Sequence, residues 1–186
     1  MSNAVLPRVS SASLLIIDVQ ERLFSVIQQQ QSISRYIPVL LEAAEVCGWP
    51  THYCEQYPKG LGATDADILA ALGRVNAVRH EKLAFSALQE PGVTEALLKA
   101  LKPDVIVCGI ETHVCVLQTV ADLQGRGHQC FVPRDAVGSR TSENYENGLA
   151  LCERAGAVIV NTESLVFSAL KRAGTPEFKR LSKLLR

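Results

Sequence analysis

Residues 105–123 read VIVCGIETHVCVLQTVADL, and the change of period inside this stretch decides the fold. Together with Asp104, its first part forms DVIVCG, a nearly continuous apolar run of the kind found in strands buried on both faces. From Val114 onward the apolar residues Val114, Leu117, Val120 and Ala121 recur at helical spacing. A fully buried strand passing straight into an amphipathic helix is the mark of a parallel sheet covered by helices on both faces.

The alternation continues in both directions. Candidate strands are Ser13–Val19, Pro50–Cys54, Arg74–Arg79, Val105–Gly109, His128–Val132 and Val158–Val160. Val93, Ala96, Leu97, Ala100 and Leu101 predict another helix. Gly48 closes a helix over Pro38–Cys47, and Thr175-Pro176-Glu177 opens a last one with Phe178, Leu181 and Leu185 on one face. Gln28–Ser32 (QQQQS) reads as a polar linker. Tyr57–Gly62 and Arg134–Ser142 read as loops, the second long enough to line a pocket. No repeat or boundary interrupts the pattern, so residues 1–186 are expected to form one domain.

Composition narrows the function classes. Lys plus Arg and Asp plus Glu number 19 each, and no like-charge block stands out, which argues against nucleic acid or an anionic membrane and for a small-molecule partner. The amino-terminal apolar run begins near Ser13 and is interrupted by Asp18, too early for a leader or a membrane span, so a cytoplasmic protein is expected. The six cysteines, at 47, 54, 108, 115, 130 and 152, form no Cys-x-x-Cys pair and mostly sit in apolar segments. Reduced thiols without structural zinc are expected.

In a sheet of this kind ligands bind beyond the carboxyl ends of the strands, which directs attention to Asp18, Cys54–Gln56, His80–Lys82 and Glu111–Cys115. Each has a bland reading: Asp18 as a turn or cap, Lys82 as a solvated cation, Cys115 as a packed thiol. Cys115, though, falls in the first turn of its helix, with Thr112 as a cap, where the helix dipole favours the thiolate. Taken together the three carry a mechanism, in which Asp18 takes the thiol proton and Lys82 keeps Asp18 charged. Backbone N–H groups around Glu111 and Cys115 would receive the developing oxyanion.

LLIIDVQERLF around Asp18, EKLAFSAL around Lys82, GIETHVCV around Cys115 and RDAVGSR (Arg134–Arg140) occur in an order and spacing that resembles the isochorismatase-like hydrolases, a family that includes nicotinamidases. The resemblance implies a three-layer Rossmann-like α/β fold with a parallel six-stranded sheet, an Asp18–Lys82–Cys115 triad and homo-oligomers. It also implies a cis peptide at Ile110–Glu111, aiming the Glu111 N–H at the oxyanion beside that of Cys115. Nicotinamidase-like members carry a metal-binding Asp-x-His after strand two. Here that stretch reads THYCEQYPKGLG, and the histidines at 52, 80, 113 and 128 are scattered along the chain, so neither metal nor cofactor is expected. The form EQYPKGLG is closer to the poorly defined isochorismatase-domain branch. Cleavage of isochorismate needs no cysteine nucleophile, so Cys115 points instead to an amide, ureido or related carbonyl substrate and a thioester intermediate. Phe24, Gln56, Tyr57, Phe85 and Thr112 are candidate pocket walls by position. Two other readings are a catalytically silent oligomeric scaffold and a redox protein pairing Cys115 with another thiol; Cys108, inside a strand, is poorly placed for that.

Overall fold

The computed structural model describes residues 5–8 and 11–186. In chain order its elements are β1 (Ala12–Ile17), α1 (Glu21–Phe24), α2 (Gln30–Cys47), β2 (Thr51–Gln56), α3 (Pro58–Leu61), α4 (Ala66–Arg74), β3 (Val78–Lys82), α5 (Pro91–Ala100) and β4 (Asp104–Ile110). They continue with α6 (Leu117–Gly125), β5 (Gln129–Pro133), β6 (Val137–Gly138), α7 (Ser142–Arg154), β7 (Val158–Val160), α8 (Thr162–Leu170) and α9 (Pro176–Leu184). The reading of the amino terminus falls partly on residues 1–4, 9 and 10, which lie outside the described residues.

Six strands run in the order β3-β2-β1-β4-β5-β7, every neighbouring pair parallel, and the two-residue β6 adds to the end of β4. The expected three-layer α/β fold with a parallel sheet is therefore present, one short strand richer. α2 packs on β1 and touches α4, α8 and α9, while α6 packs on β5 and touches α7, which closes the two helical layers. Every residue of β1 and β4 is buried, so these runs had no polar face to show in the sequence. The chain turns from one half of the sheet to the other between β1 and β4. A switch point of this kind opens a crevice beyond the strand ends, and Asp18 and Glu111 are the residues that follow those two strands. Gly109 lets β1 and β4 approach this closely. Its φ is +112°, and a Cβ there would lie 2.1 Å from the carbonyl oxygen of Ile17, so no other residue fits without moving β1.

Several sequence expectations need correcting. Gln28–Ser32 is not a linker throughout, because α2 already starts at Gln30 and runs through Pro38. Burial of Ile33, Ile37, Leu40, Leu41 and Ala44 on one face outweighs the missing N–H of Pro38, and the carbonyl this leaves, on Ser34, is on an exposed residue that water can reach. Gly48 ends α2 in the left-handed region, φ 66°, as read. The third strand is Val78–Lys82 rather than Arg74–Arg79, since Arg74 closes α4. That helix was not foreseen; its signals are the Asp65 cap, whose carboxylate accepts the N–H groups of Asp67 and Ile68, and the buried stripe Ile68, Ala71, Leu72. Arg134–Ser142 is more ordered than a loop, containing a 3-10 turn at Arg134–Ala136, then β6, then the start of α7.

Candidate active site

Asp18 follows β1 in a left-handed conformation, φ 52°, with its N–H donated to the carbonyl of Cys54 at 3.1 Å. Non-glycine residues in this region are uncommon and gather where the fold needs a particular side-chain direction. The direction here is inward, leaving Asp18 buried. Lys82, the last residue of β3, is buried as well, and its ammonium reaches Asp18 Oδ2 at 2.6 Å. It also donates to Gln56 Oε1 at 2.7 Å, the carbonyl of Phe85 at 3.0 Å and that of Ala84 at 3.3 Å. A cation without water is stable only with such a ring of acceptors.

The two carboxylate oxygens of Asp18 are unequal. Oδ2 holds Lys82, whereas Oδ1 is buried without a hydrogen-bond partner. Burial pushes the Asp18 pKa up, against the opposing pull of Lys82 and of the Cys115 thiol. Cys115, 6% exposed, answers in kind: burial first, then the Asp18 charge, push its thiol up to about 12, while Lys82 pulls it down. Burial and the Asp18 charge thus act against the thiolate that the helix dipole is expected to favour.

Cys115 does not sit in an ordinary α-helical first turn. It lies in a π turn, Thr112–Val116, ahead of α6, a distortion that often marks functional positions. The carbonyl of Glu111 accepts N–H groups from both Val114, at 3.0 Å, and Val116, at 3.2 Å. The Ile110–Glu111 peptide is cis, as the resemblance implied. α7 presses against the turn through Gly148, where a Cβ would stand 2.8 Å from the backbone nitrogen of His113. Thr112 is not a cap; its hydroxyl is buried with no partner.

The pocket candidates divide. Phe24 and Thr112 are buried in the packing. Gln56 is spent on Lys82 and donates its amide to the carbonyl of Leu83 at 2.8 Å. Phe85 is 55% exposed and Tyr57 50%. Tyr57 lines a cleft of about 290 Å³ with Pro58, Lys59, Glu81, Lys82, Leu83 and Glu90. Sequence reasoning missed Gln20, which is buried and bonded to both sides of the Gln56 backbone: its Oε1 accepts the N–H at 2.7 Å and its Nε2 donates to the carbonyl at 3.0 Å. A glutamine directly behind the buried run LLIIDV was the available signal. His52 and His80 were read as scattered, yet they meet in the interior, stacked, with Nδ1 and Nε2 3.0 Å apart. Adjacent parallel strands brought together residues 28 positions apart in the chain.

The metal-binding stretch of nicotinamidases has no counterpart in donor chemistry. Glu55 spends one oxygen on Thr64 (N–H at 2.7 Å, hydroxyl at 2.6 Å) and the other on Arg79, and His52 is engaged with His80. Among the described residues no group of three or more His, Cys, Asp or Glu side chains is arranged to hold a metal ion. All six cysteines are free. Also among the described residues, no helix is long and apolar enough to cross a membrane.

Comparison with known proteins agrees with this geometry. Residues 12–164 match the isochorismatase domain model. The chain is 36% identical over 179 residues to the secreted isochorismatase effector Isc1 of Phytophthora sojae, covering 95% of this chain and 85% of that protein. A structure described as MAR1 ribonuclease from Caenorhabditis elegans superposes with a TM-score of 0.88 at 35% identity, over 97% of this chain and 92% of that one. The YcaC gene product of Escherichia coli, described as an octameric hydrolase of unknown specificity, has a TM-score of 0.88 at 17% identity, over 99% and 92% of the two chains, and shares the fold.

Proposed function

The chain belongs to the isochorismatase family, whose members are hydrolases, and from that premise we propose that it is a metal-independent cysteine hydrolase of small amide, ureido or related carbonyl compounds. The observation that carries this reading is the half-satisfied carboxylate: Asp18 Oδ2 is held by Lys82, Oδ1 is buried without a hydrogen-bond partner, and the carboxylate and the Cys115 thiol lie close enough to shift each other's titration.

In the proposed reaction Asp18 takes the thiol proton as Cys115 Sγ attacks the substrate carbonyl, so the thiolate exists only while the bond forms. Lys82 stabilises the Asp18 charge before the transfer and again once Asp18 has given its proton to the leaving amine. The N–H groups of Glu111 and Cys115 hold the oxyanion. The amine leaves with the proton from Asp18, giving a thioester. Water, deprotonated by Asp18, then releases the carboxylic acid and restores the thiol.

Residues 1–186 act in this reading as one cytoplasmic hydrolase domain that assembles with copies of itself, a property stated for the YcaC product. The balanced charge favours a small neutral or singly charged substrate over a polyanion. The test is release of ammonia or amine from small amides, ureido acids and nicotinamide, with an RNA oligomer as a further arm. Turnover that disappears in Cys115→Ala supports the proposal. Turnover that survives the substitution, or cleavage confined to the RNA, overturns it. A light-scattering mass of one chain would remove the assembly.

A further inference from the structure

Glu111 is anchored at both ends. Its carbonyl belongs to the π turn through Val114 and Val116. Its buried carboxylate accepts two bonds on the single oxygen Oε2, from the backbone N–H of Arg140 at 3.1 Å and from Arg140 Nε at 3.0 Å. The pairing of β6 with β4, Val137 opposite Gly109 and Gly138 opposite Ile110, delivers Arg140 to this place. A second tie joins the same two segments, between the Ser139 hydroxyl and His113 Nδ1 at 3.0 Å. Although 57% of the Arg140 side chain is exposed, its Nε is turned inward to Glu111. Neither residue has a part in the proton transfer between Asp18 and Cys115.

We infer that Arg140 is a positioning residue: by fixing the Glu111 carboxylate it orients the Glu111 backbone N–H toward the carbonyl oxygen that Cys115 attacks. The inference rests on the acyl-transfer reading above. A charged acceptor held by two donors has a direction as well as an energy, and an oxyanion donor is effective only when its direction is set before reaction. The bonds of Arg140 go to Glu111 and not to the triad, so its loss separates two chemistries. Acyl transfer, which builds an oxyanion, slows; alkylation of the thiol, which builds none, does not.

The experiment compares wild type, Arg140→Ala and Arg140→Lys, with p-nitrophenyl acetate as acyl donor, iodoacetamide as alkylating probe and the backbone amide of Glu111 followed by NMR. In Arg140→Ala the backbone N–H bond remains, so kcat is expected to fall about tenfold, less than for outright loss of an oxyanion donor, with KM nearly unchanged. Cys115 alkylation keeps its rate and the Glu111 amide resonance moves. Arg140→Lys, which still presents a cation to Glu111, recovers most of the lost kcat. An unchanged kcat, an unmoved Glu111 amide, or equal losses in acyl transfer and alkylation would each overturn the inference. Absence of Cys115-dependent hydrolysis in the wild type would instead sink the acyl-transfer reading, with the amide still deciding whether Arg140 sets that peptide.

Discussion

Two buried carboxylates stand near the same end of the sheet, and they are treated in opposite ways. Glu55, on β2, has both oxygens occupied, by Thr64 and by Arg79. Burial pushes its pKa up, but those hydrogen bonds outweigh burial and the net movement is down. Asp18 has a cation too, closer to full burial than Arg79, yet one oxygen is open and the net movement is up. The difference lies in the second oxygen. A carboxylate whose lone pairs are all used holds structure together, whereas one with a lone pair in reserve is able to take a proton.

Replacing each by its amide should separate the two roles. Asp18→Asn keeps the shape and one acceptor for Lys82 but removes the base, so kcat on any substrate found by the panel should fall by about 10²–10⁴, measured beside circular dichroism to confirm folding. Retention of wild-type kcat would erase the distinction. Glu55→Gln should do the reverse, lowering stability by roughly 1–3 kcal/mol, the lower end because Arg79 is partly exposed, while kcat stays within about threefold. Urea unfolding and the same assay read both halves.

The pH dependence carries opposite signs. The raised pKa of Asp18 means that the folded state binds the extra proton, so stability relative to Asp18→Asn declines as pH rises above the ordinary carboxylate value of 3.8. Glu55, with its pKa lowered, contributes stability that is present above 4.5 and lost as pH falls through its folded value. His52 adds to the acid limb. Burial, with His80 beside it, lowers its pKa from 6.5 to about 4, so its unfolded form gains a proton first and stability drops between about pH 6.5 and pH 4. Urea midpoints across about pH 2–8 for the wild type, the two amide variants and His52→Asn resolve these slopes; parallel curves would contradict all three assignments. The smallest effect belongs at Phe85, whose exposed ring does none of the work that its carbonyl does for Lys82. Phe85→Ser should alter stability by less than about 0.5 kcal/mol, and a larger loss in urea would show that the ring matters.

The sequence made the alternation of strand and helix legible because β1 and β4 are nearly continuous apolar runs, broken only by Ser13 and Asp104, and α6 has a clear period. It did not disclose that α2 runs through Pro38, since the propensity of one residue reads locally while the burial of Ile33 and Ile37 is set by the sheet beneath them. Asp18, Lys82 and Cys115 stood out by their places behind strands. Their electrostatics did not, because the burial that pushes the Cys115 thiol up is a property of everything packed around it. The His52–His80 pair was hidden for the same reason: its contact follows from the register of β2 on β3 and from no local pattern.

Gly109 has a consequence for how this site can change. With no room for even a methyl group between the backbones of β1 and β4, the approach of the strand that carries Asp18 to the strand that leads to Cys115 is set by two main chains in contact, as rigid a ruler as a protein offers. Selection for a bulkier substrate cannot widen that gap by trading side chains. Change is easier in the cleft beside Lys82, among Tyr57, Lys59, Leu83 and Glu90, where side chains and not main chains form the walls.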